Sequence, residues 1–238
     1  MTILSLALDG SGPQGGIALL NDTTTIDTAF FPEGSGFGVT MMAQLESLMR
    51  QHRLTPADLN LMTVASGPGS FTGLRVALGL AKGIALVRRI PIIGLSTLFL
   101  AASMNRQGAP WILAIRDAGH HHLFYALYVR RDAALTEKIP PTMGRVEDLD
   151  SMLADQVPEE SVTCCGPGLS LHGDHLRARL KERFCSPGSP LSQPPPDVLG
   201  RLGFDLWRQG LPPAPADFEP LYLRPPQAQT QLKERTEG

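Results

Sequence analysis

Residues 66–75 read Ser66-Gly67-Pro68-Gly69-Ser70-Phe71-Thr72-Gly73-Leu74-Arg75, and they join a short apolar run to a long one. The run before them, Leu61–Ala65, has the length of a buried strand, and Thr72–Val87 is apolar nearly all the way round. A strand, a glycine loop and a helix in that order commonly place backbone N–H groups around an anion. A helix with almost no polar face is buried on more than one side. The stretch therefore predicts a phosphate site, a protein interface, or both.

Two known phosphate motifs fit this loop poorly. A P-loop has the spacing Gly-x-x-x-x-Gly-Lys-Ser/Thr, and the loop lacks both that spacing and the lysine. A dinucleotide site has an acidic residue about 20 residues after its glycines, whereas no Asp or Glu occurs between Asp58 and Asp117. Pro68 also removes one N–H donor. These missing features argue against a P-loop or a dinucleotide site.

The helix predicted at Thr72–Val87 carries two rows of small residues. Ala77, Ala81 and Ala85 recur every four residues, and Gly79 and Gly83 form a parallel row. Small residues at this spacing lie on one helix face and let a neighbouring helix approach closely. That neighbour is either another part of the same core or a second chain, and the sequence leaves both alternatives open.

Composition indicates a globular protein with one large or two small domains. The chain has 238 residues, is 42% hydrophobic and has a formal net charge of −2, which gives no overall basic surface for nucleic acid. Three cysteines are too few for a disulfide framework, and the N-terminus has no basic stretch typical of a signal peptide. The longest apolar stretch is interrupted by Arg75 and Lys82 and is shorter than the ~20 residues that span a bilayer. We therefore expect a cytoplasmic protein.

Hydrophobic periodicity predicts an α/β protein with a weak internal repeat. Both Leu6–Gly12 and Leu113–Gly119 read as an apolar strand followed by an Asp and a Gly-containing turn, as expected of a duplicated lobe. We expect an N-terminal lobe at 1–105, a C-terminal lobe at 106–226 and a polar, disordered tail at 227–238. The strands are predicted at Ile3–Leu8, Ile17–Leu20, Thr23–Phe31, Leu61–Ala65, Ile92–Leu95, Trp111–Ile115, Leu123–Val129 and Ser161–Cys165. The helices are predicted at Val39–His52, Thr72–Val87, 97–104, Val146–Leu153, His172–Phe184 and Asp197–Arg208.

Histidines provide the strongest candidates for metal ligands. His120, His121 and His122 are consecutive, so that only His120 and His122 share a strand face, and no third ligand is evident from spacing. His172 and His175 lie at i and i+3 on a predicted helix. Surface histidines are the more economical interpretation in both places, and we expect no metal site.

Three separate segments make the chain resemble the TsaB (YeaZ) family. They are Ser66–Arg75 followed by Ala81-Lys82-Gly83; Ile90-Pro91-Ile92-Ile93-Gly94-Leu95-Ser96-Thr97-Leu98; and the ending Pro220-Leu221-Tyr222-Leu223-Arg224. Asp117-Ala118 before a strand with Phe124-Tyr125-Ala126 agrees with the same family. The resemblance extends over nearly the whole length.

The resemblance implies a two-lobe α/β fold like that of actin, Hsp70 and sugar kinases, with a mixed sheet and helices in each lobe. It implies that this chain is a non-catalytic partner of TsaD. Together with TsaE, the two proteins transfer a threonylcarbamoyl group to the adenosine adjacent to the anticodon of tRNA. TsaD binds a metal through a His-x-x-x-His pair, and this chain has no such spacing. The implied partners are TsaD in a heterodimer, TsaE, a second copy when the chain is free, and tRNA only through the complex. No intrinsic cofactor is expected, and ATP or ADP would bind at the complex interface.

We expect the family's interface on the first two long helices and assign to it Met42, Leu45, Met49, Ala77, Leu78, Ala81, Lys82 and Ala85. The candidates for a phosphate or nucleotide contact are Asp9, Gly69, Ser70, Thr72 and Arg75. Two other functions remain open. An ATP-binding phosphotransferase or ATPase of the same fold would use Asp9 and Asp117, and an M22-type metallopeptidase-like protein would need a metal.

Overall fold

Two five-stranded sheets with the same strand order form the framework. The computed structural model describes residues 2–31, 37–106, 108–132, 134–157, 159–185 and 193–224, so the predicted tail lies outside the described residues. The first sheet contains β1 (Leu4–Asp9), β2 (Gly16–Asn21), β3 (Thr24–Phe30), β4 (Leu61–Gly67) and β5 (Ile92–Ser96), in the order β3-β2-β1-β4-β5. The second contains β6 (Trp111–Gly119), β7 (His122–Arg131), β8 (Ala134–Arg145), β9 (Val162–Cys165) and β10 (Phe184–Cys185), in the order β8-β7-β6-β9-β10.

The two sheets also agree in strand direction. In each, the first three strands form an antiparallel meander, and the fourth and fifth add in parallel beside the first. The repeat between Leu6–Gly12 and Leu113–Gly119 therefore corresponds to β1 and β6, the central strands of two equivalent sheets. The prediction of a two-lobe α/β fold with a mixed sheet and helices in each lobe is confirmed.

In the described part of the chain, six α-helices pack on these sheets: α1 (Phe37–Gln51), α2 (Phe71–Arg88), α3 (Thr97–Ser103), α4 (Leu149–Gln156), α5 (Leu169–Leu180) and α6 (Pro196–Arg208). Successive side chains of a strand point to opposite faces, and both faces of β1 are buried. Leu6 and Leu8 pack with α1 and α2, whereas Ala7 packs with α6. This explains why β1 reads as a continuous apolar run.

The last helix of each half packs on the sheet of the other half. Leu98 of α3 joins a cluster with Ile112 and Tyr128 of the second sheet. Leu199 of α6 joins a cluster with Ala7 and Leu20 of the first sheet. The division at 105/106 is therefore wrong for α6, which follows the second sheet in sequence but belongs to the core of the first.

Three further elements differ from the prediction. Strand β8 was not predicted because it contains Pro140 and Pro141 and is largely polar, which is tolerated at a sheet edge where it pairs only with β7. The helix predicted at His172–Phe184 begins at Leu169 and ends at Leu180, and Phe184 belongs to β10. The helix predicted at Val146–Leu153 is a short 3₁₀ turn followed by α4.

Glycines in α6 allow its close approach to the first sheet. A Cβ added at Gly203 would lie 2.1 Å from Thr63 Oγ1, and one at Gly200 would lie 2.4 Å from Leu20 Cδ1. Neither gap accommodates a methyl group without displacement of the strand side chain. The contact between α6 and the sheet therefore requires these glycines.

We predict opposite effects for two Gly→Ala substitutions in helices. Gly203→Ala lowers the free energy of unfolding by about 1–2 kcal/mol, because overpacking exceeds the gain in helix propensity. Gly79→Ala in α2, where an added Cβ meets nothing within 4 Å, raises it by about 0.5–1 kcal/mol. Urea unfolding measures both, and equal or greater stability of the Gly203 variant would contradict the packing of α6.

Candidate docking surface and interlobe cleft

The glycine loop packs backbone to backbone against the turn that follows β1. A Cβ added at Gly73 would lie 2.0 Å from the carbonyl oxygen of Gly10, and one at Gly10 would lie 2.2 Å from that of Gly73. The N–H of Ser70 donates to the carbonyl oxygen of Ser11 at 2.7 Å. Ser70 Oγ accepts from the N–H of Gly73 at 3.2 Å and caps α2. The loop thus holds the start of α2 against the β1–β2 turn.

The candidate phosphate residues separate into an inner and an outer group. Asp9, Gly69 and Ser70 lie around the β1–β2 turn, where Asp9 is 1% exposed and accepts from the N–H of Ser11 at 2.8 Å and from Gln193 Nε2 at 2.6 Å. A Cβ added at Gly69 would lie 2.3 Å from the carbonyl oxygen of Ser11. The Asp9 carboxylate and the Ser70 N–H are therefore already engaged within the chain.

The outer group comprises Thr72 and Arg75, both exposed on the first turns of α2. The Arg75 guanidinium lies 4.0 Å from the centroid of the Phe71 ring, and its Nε donates to the Tyr222 hydroxyl at 2.7 Å. The C-terminal Pro-x-Tyr-Leu-Arg ending is thereby attached to the root of α2. The structure does not bring the five candidates together around one point, and their phosphate contact stays a prediction.

Arg116, which the sequence analysis did not select, bridges the two lobes. Its Nη1 donates to the carbonyl oxygen of Ser11 at 3.1 Å and its Nη2 to Ser11 Oγ at 3.4 Å. Burial lowers the pKa of Arg116, and the nearby Asp9 carboxylate opposes that shift. Arg116 lines two cavities of the cleft, with volumes of about 660 and 590 Å³. The signal in the sequence was an arginine directly before Asp117 at the end of an apolar strand.

Asp117 differs from its counterpart Asp9 in exposure and in partner. Its Oδ1 lies 3.0 Å from His172 Nε2, and its side chain remains partly exposed at the larger cavity. Asp9, by contrast, is buried beneath Gln193. The duplicated turns therefore carry chemically different carboxylates.

The other histidines and the cysteines form no metal centre among the residues with a described position. His120 and His121 occupy the β6–β7 turn with positive φ angles of 52° and 60°. His122 Nδ1 lies 2.7 Å from the carbonyl oxygen of His120. Cys164 and Cys165 are buried in β9, and burial raises the pKa of both thiols, that of Cys165 to about 12, which keeps them protonated and unreactive at neutral pH.

Six of the eight residues assigned to the partner interface face the interior. Ala77 and Ala81 are 0% exposed, and Leu45, Met49, Leu78 and Ala85 are also buried among α1, α2 and the first sheet. The alanine row is therefore the face that packs within the chain, and Ala77, Leu78, Ala81 and Ala85 are not exposed for contact with a partner. Leu45 and Met49 have little exposed surface but line the groove between α1 and α2. Met42 is 55% exposed and Lys82 half-buried, so these two remain accessible.

The glycine row faces outward and lies in an exposed apolar surface. A Cβ added at Gly79 or Gly83 would meet nothing within 4 Å. Leu86 and Val87 beside them are 85% and 80% exposed. Two adjoining grooves of about 620 and 460 Å³ lie between α2 and α1. We call this face the docking surface and define it by Val39, Met42, Gly79, Leu80, Gly83, Ile84, Leu86 and Val87.

The end of α1 is attached to the edge of the first sheet. Asp27 Oδ2 on β3 lies 2.8 Å from His52 Nε2 and accepts from Gln51 Nε2 at 3.2 Å. The hydrogen bond with His52, opposed by partial burial, lowers the pKa of the Asp27 carboxyl below its usual range. This contact holds the helix that forms one side of the docking surface.

Comparison with known proteins gives consistent results. The family model described as "TsaD: tRNA N6-adenosine threonylcarbamoyltransferase" matches residues 36–169. The tRNA threonylcarbamoyladenosine biosynthesis protein TsaB of Bacillus subtilis is 31% identical over 203 residues, which cover 85% of this chain and 87% of that protein. The chain belongs to the TsaB family. The TsaB protein of Escherichia coli is 32% identical over 127 residues, 52% of this chain and 54% of its own.

Solved structures show the same fold. A Pseudomonas aeruginosa protein described as similar to peptidase YEAZ matches with a TM-score of 0.74 at 22% identity, over 93% of this TsaB-family chain and 100% of its own. A structure described as YeaZ from Pseudomonas aeruginosa matches with a TM-score of 0.68 at 21% identity and the same coverage. Among the described residues, no helix is long and apolar enough to cross a membrane.

The two carboxylates of the duplicated turns are predicted to differ in their contribution to stability. Asp9→Ala lowers the free energy of unfolding by about 3 kcal/mol, because it leaves Gln193 Nε2 and the Ser11 N–H unpaired and Arg116 without its nearby charge. Asp117→Ala removes a partly exposed pair and costs less than about 1 kcal/mol. Equal losses in urea unfolding would show that the buried Asp9 network is not as described.

The Asp27–His52 contact predicts a pH-dependent contribution to stability. Because the folded-state pKa of Asp27 is lowered, its stabilisation is present above the unfolded pKa of about 3.9 and is lost as the pH falls through the folded value. Asp27→Asn therefore lowers the thermal midpoint at pH 7, by the equivalent of about 0.5–1 kcal/mol, and this loss becomes smaller as the pH falls below the unfolded pKa. Glu46→Gln, which removes an exposed pair with Arg50, is the control, and a loss at pH 7 that persists unchanged at pH 2 would contradict the assignment.

Proposed function

We propose that this TsaB-family protein is a non-catalytic subunit that binds and activates TsaD in the transfer of threonylcarbamoyl to the adenosine adjacent to the anticodon of tRNA. Its relatives are named for tRNA threonylcarbamoyladenosine biosynthesis. The observation that carries the proposal is the docking surface, where exposed apolar side chains surround two glycines that leave room for a second backbone. Exposed apolar patches of this kind mark protein interaction sites.

The chemistry of the chain's own side chains supports a non-catalytic role. The six histidines include no His-x-x-x-His pair of the kind that the resemblance assigns to TsaD. Within the described ranges, the histidines, cysteines and carboxylates do not assemble into a metal-binding group. The catalytic groups of the reaction would then belong to the partner, and this chain would act on their arrangement.

The remaining partners follow from the same proposal. TsaE joins the TsaB–TsaD pair, tRNA contacts the assembly, and ATP or ADP binds at the interface rather than within this chain alone. The last point is supported by the engagement of Asp9 and of the Ser70 N–H with other groups of the chain. Because these groups already bond within the chain, a phosphate bound beside them would need further hydrogen-bond donors from a partner.

An ATP-dependent phosphotransferase or ATPase is the second candidate, because Asp117 lies at the opening of a cleft of about 660 Å³ between the lobes. Calorimetric titration with Mg-ATP separates the two candidates. We expect no heat of binding for the chain alone. Micromolar binding with turnover would favour the second candidate and contradict the first.

The docking proposal is tested with neutral substitutions on the glycine row. In Gly79→Gln/Gly83→Gln, two side chains occupy the space needed for close approach, so the affinity for TsaD is expected to fall at least ~100-fold. Gly173→Gln in α5 is the matched control, because its added Cβ meets only Leu169 atoms at 3.9 Å. Binding is measured by calorimetry and function by tRNA modification with TsaD, TsaE and a threonylcarbamoyl donor.

Modification should require the wild-type chain, persist with the Gly173 variant and fall to the level without the chain in the double variant. Modification that does not depend on the chain would refute the activating role. Full activity of the double variant would place the interface elsewhere.

A further inference from the structure

Arg116 is a buried cation that uses only part of its hydrogen-bonding capacity. The residue is 9% exposed, and a guanidinium carries five N–H donors. One N–H on each Nη nitrogen donates to Ser11, and Nε is buried without a hydrogen-bond partner. Within the described part of the chain, Nε and the second N–H of each Nη nitrogen therefore stay unbonded.

The positive charge of Arg116 also lacks a direct anionic partner among the described contacts. Burial lowers the pKa of Arg116, and the charge of Asp9 opposes that shift. The Asp9 oxygens nevertheless accept from the Ser11 N–H and from Gln193, and not from the guanidinium. A buried charge without a direct partner is costly for a fold. An anion bound at Arg116 would offset that cost.

The guanidinium is held in place from both lobes. A Gly-Pro-Gly sequence occurs twice, at 67–69 after β4 and at 166–168 after β9. A Cβ added at Gly69 would lie 2.3 Å from the carbonyl oxygen of Ser11, and one at Gly168 would lie 3.0 Å from Arg116 Cα. The two residues joined by the interlobe hydrogen bonds are therefore each fixed by a close backbone contact. Such fixation reduces the ordering cost of binding a ligand.

The larger of the two cavities beside Arg116 has mainly apolar walls. The rings of Phe71, Phe124 and Tyr222 line it, together with prolines and leucines of both lobes. Its volume of about 660 Å³ is within the range of small-molecule sites, which combine apolar walls with a few charged groups. The cavity therefore has room for an apolar body next to a buried cation.

The charges of this wall favour a monoanion over a polyanion. Arg116 and Arg224 bring two positive charges and Asp117 one negative charge. A single carboxylate would balance the remaining charge, whereas a triphosphate would leave an excess of negative charge beside Asp117. The Ser70 N–H, which could stabilise a phosphate, already donates to Ser11.

We propose that the larger cavity of the interlobe cleft binds a small monocarboxylate with an apolar body. The carboxylate accepts from the unbonded N–H groups of Arg116, since guanidinium and carboxylate form strong, charge-assisted hydrogen bonds. The apolar body packs against Phe71, Phe124 and Tyr222. The site belongs to the free chain and goes beyond the proposed function, which concerns a different surface.

A series of carboxylates tests the site in the free wild-type chain. Acetate, isovalerate, benzoate and phenylacetate are titrated by calorimetry, and affinity is expected to rise at least tenfold from acetate to phenylacetate as more apolar surface is buried. Phenylacetamide has nearly the same shape without the charge and is expected to bind at least tenfold more weakly than phenylacetate. No binding by any carboxylate at about 10 mM, or equal binding of phenylacetate and its amide, would overturn the inference.

Substitutions locate the binding. Arg116→Lys keeps the charge near Asp9 but removes the planar fork, and is expected to weaken phenylacetate binding at least tenfold. Arg130→Lys is the matched control, because Arg130 Nε is also buried without a partner but Arg130 does not line the cavity; a change below twofold is expected. Equal affinity of a folded Arg116→Lys chain and the wild type would overturn the role of Arg116.

Asp117→Asn provides a second arm that does not depend on the folding of the Arg116 variant. It removes a negative charge from the cavity wall and is expected to strengthen phenylacetate binding at least twofold, with no effect on the amide. Unchanged or weaker binding of phenylacetate would overturn the assignment to this cavity. All of these measurements use the chain without TsaD, so their failure leaves the docking proposal untouched, and failure of TsaD binding leaves this inference untouched.

Discussion

The direct backbone contact between Gly10 and Gly73 holds the start of α2 against the turn that follows β1. With no side chain on either residue, the turn after β1 and the first turn of α2 touch through their main chains, and the hydrogen bond from the Ser70 N–H to Ser11 fixes their separation. The contact uses the donor that an anion would need. It also sets the position of α2 on the sheet, and with it the direction of the exposed face of α2.

The position of α2 determines which of its two rows of small residues meets the sheet. The alanine row lies against the core, where each methyl group fills space between α2, α1 and β4. The glycine row is left in the open, with exposed Leu86 and Val87 beside it. A surface of this kind exposes apolar area and provides no side chain to fill the grooves. In the proposed function, the partner's backbone or side chains would fill them.

Much of the fold follows from the sequence, because the strands and long helices have strong local patterns. The apolar run before Asp9 predicts β1, and the hydrophobic pattern of residues 72–87 predicts α2, each to within a residue or two of the observed bounds. The sequence says less about where each element packs in the tertiary structure. The amphipathic pattern of α6 predicts a helix, but nothing local says that Leu199 packs on the first sheet. The edge strand β8 has prolines and few apolar residues, so its own sequence does not predict a strand. It is a strand because it pairs with β7.

The candidate site shows the same limit more sharply. Periodicity fixes the angle between the alanine and glycine rows of α2 but not which row faces the solvent, so the interface was assigned to the buried alanine row of α2 instead of the exposed glycine row. Arg116 was missed because its role depends on a partner 105 positions away, Ser11. Asp9 and Asp117 look alike in sequence and differ only once Gln193 and His172 are placed beside them.

Hydrogen–deuterium exchange of the chain with and without TsaD distinguishes docking on α1 and α2 from docking elsewhere. We expect TsaD to slow exchange along the exposed faces of α1 and α2, with the largest change in peptides from 79–88, and to leave α4, α5 and β8 unchanged. Protection confined to the interlobe cleft or to the second sheet, with α2 unaffected, would contradict it.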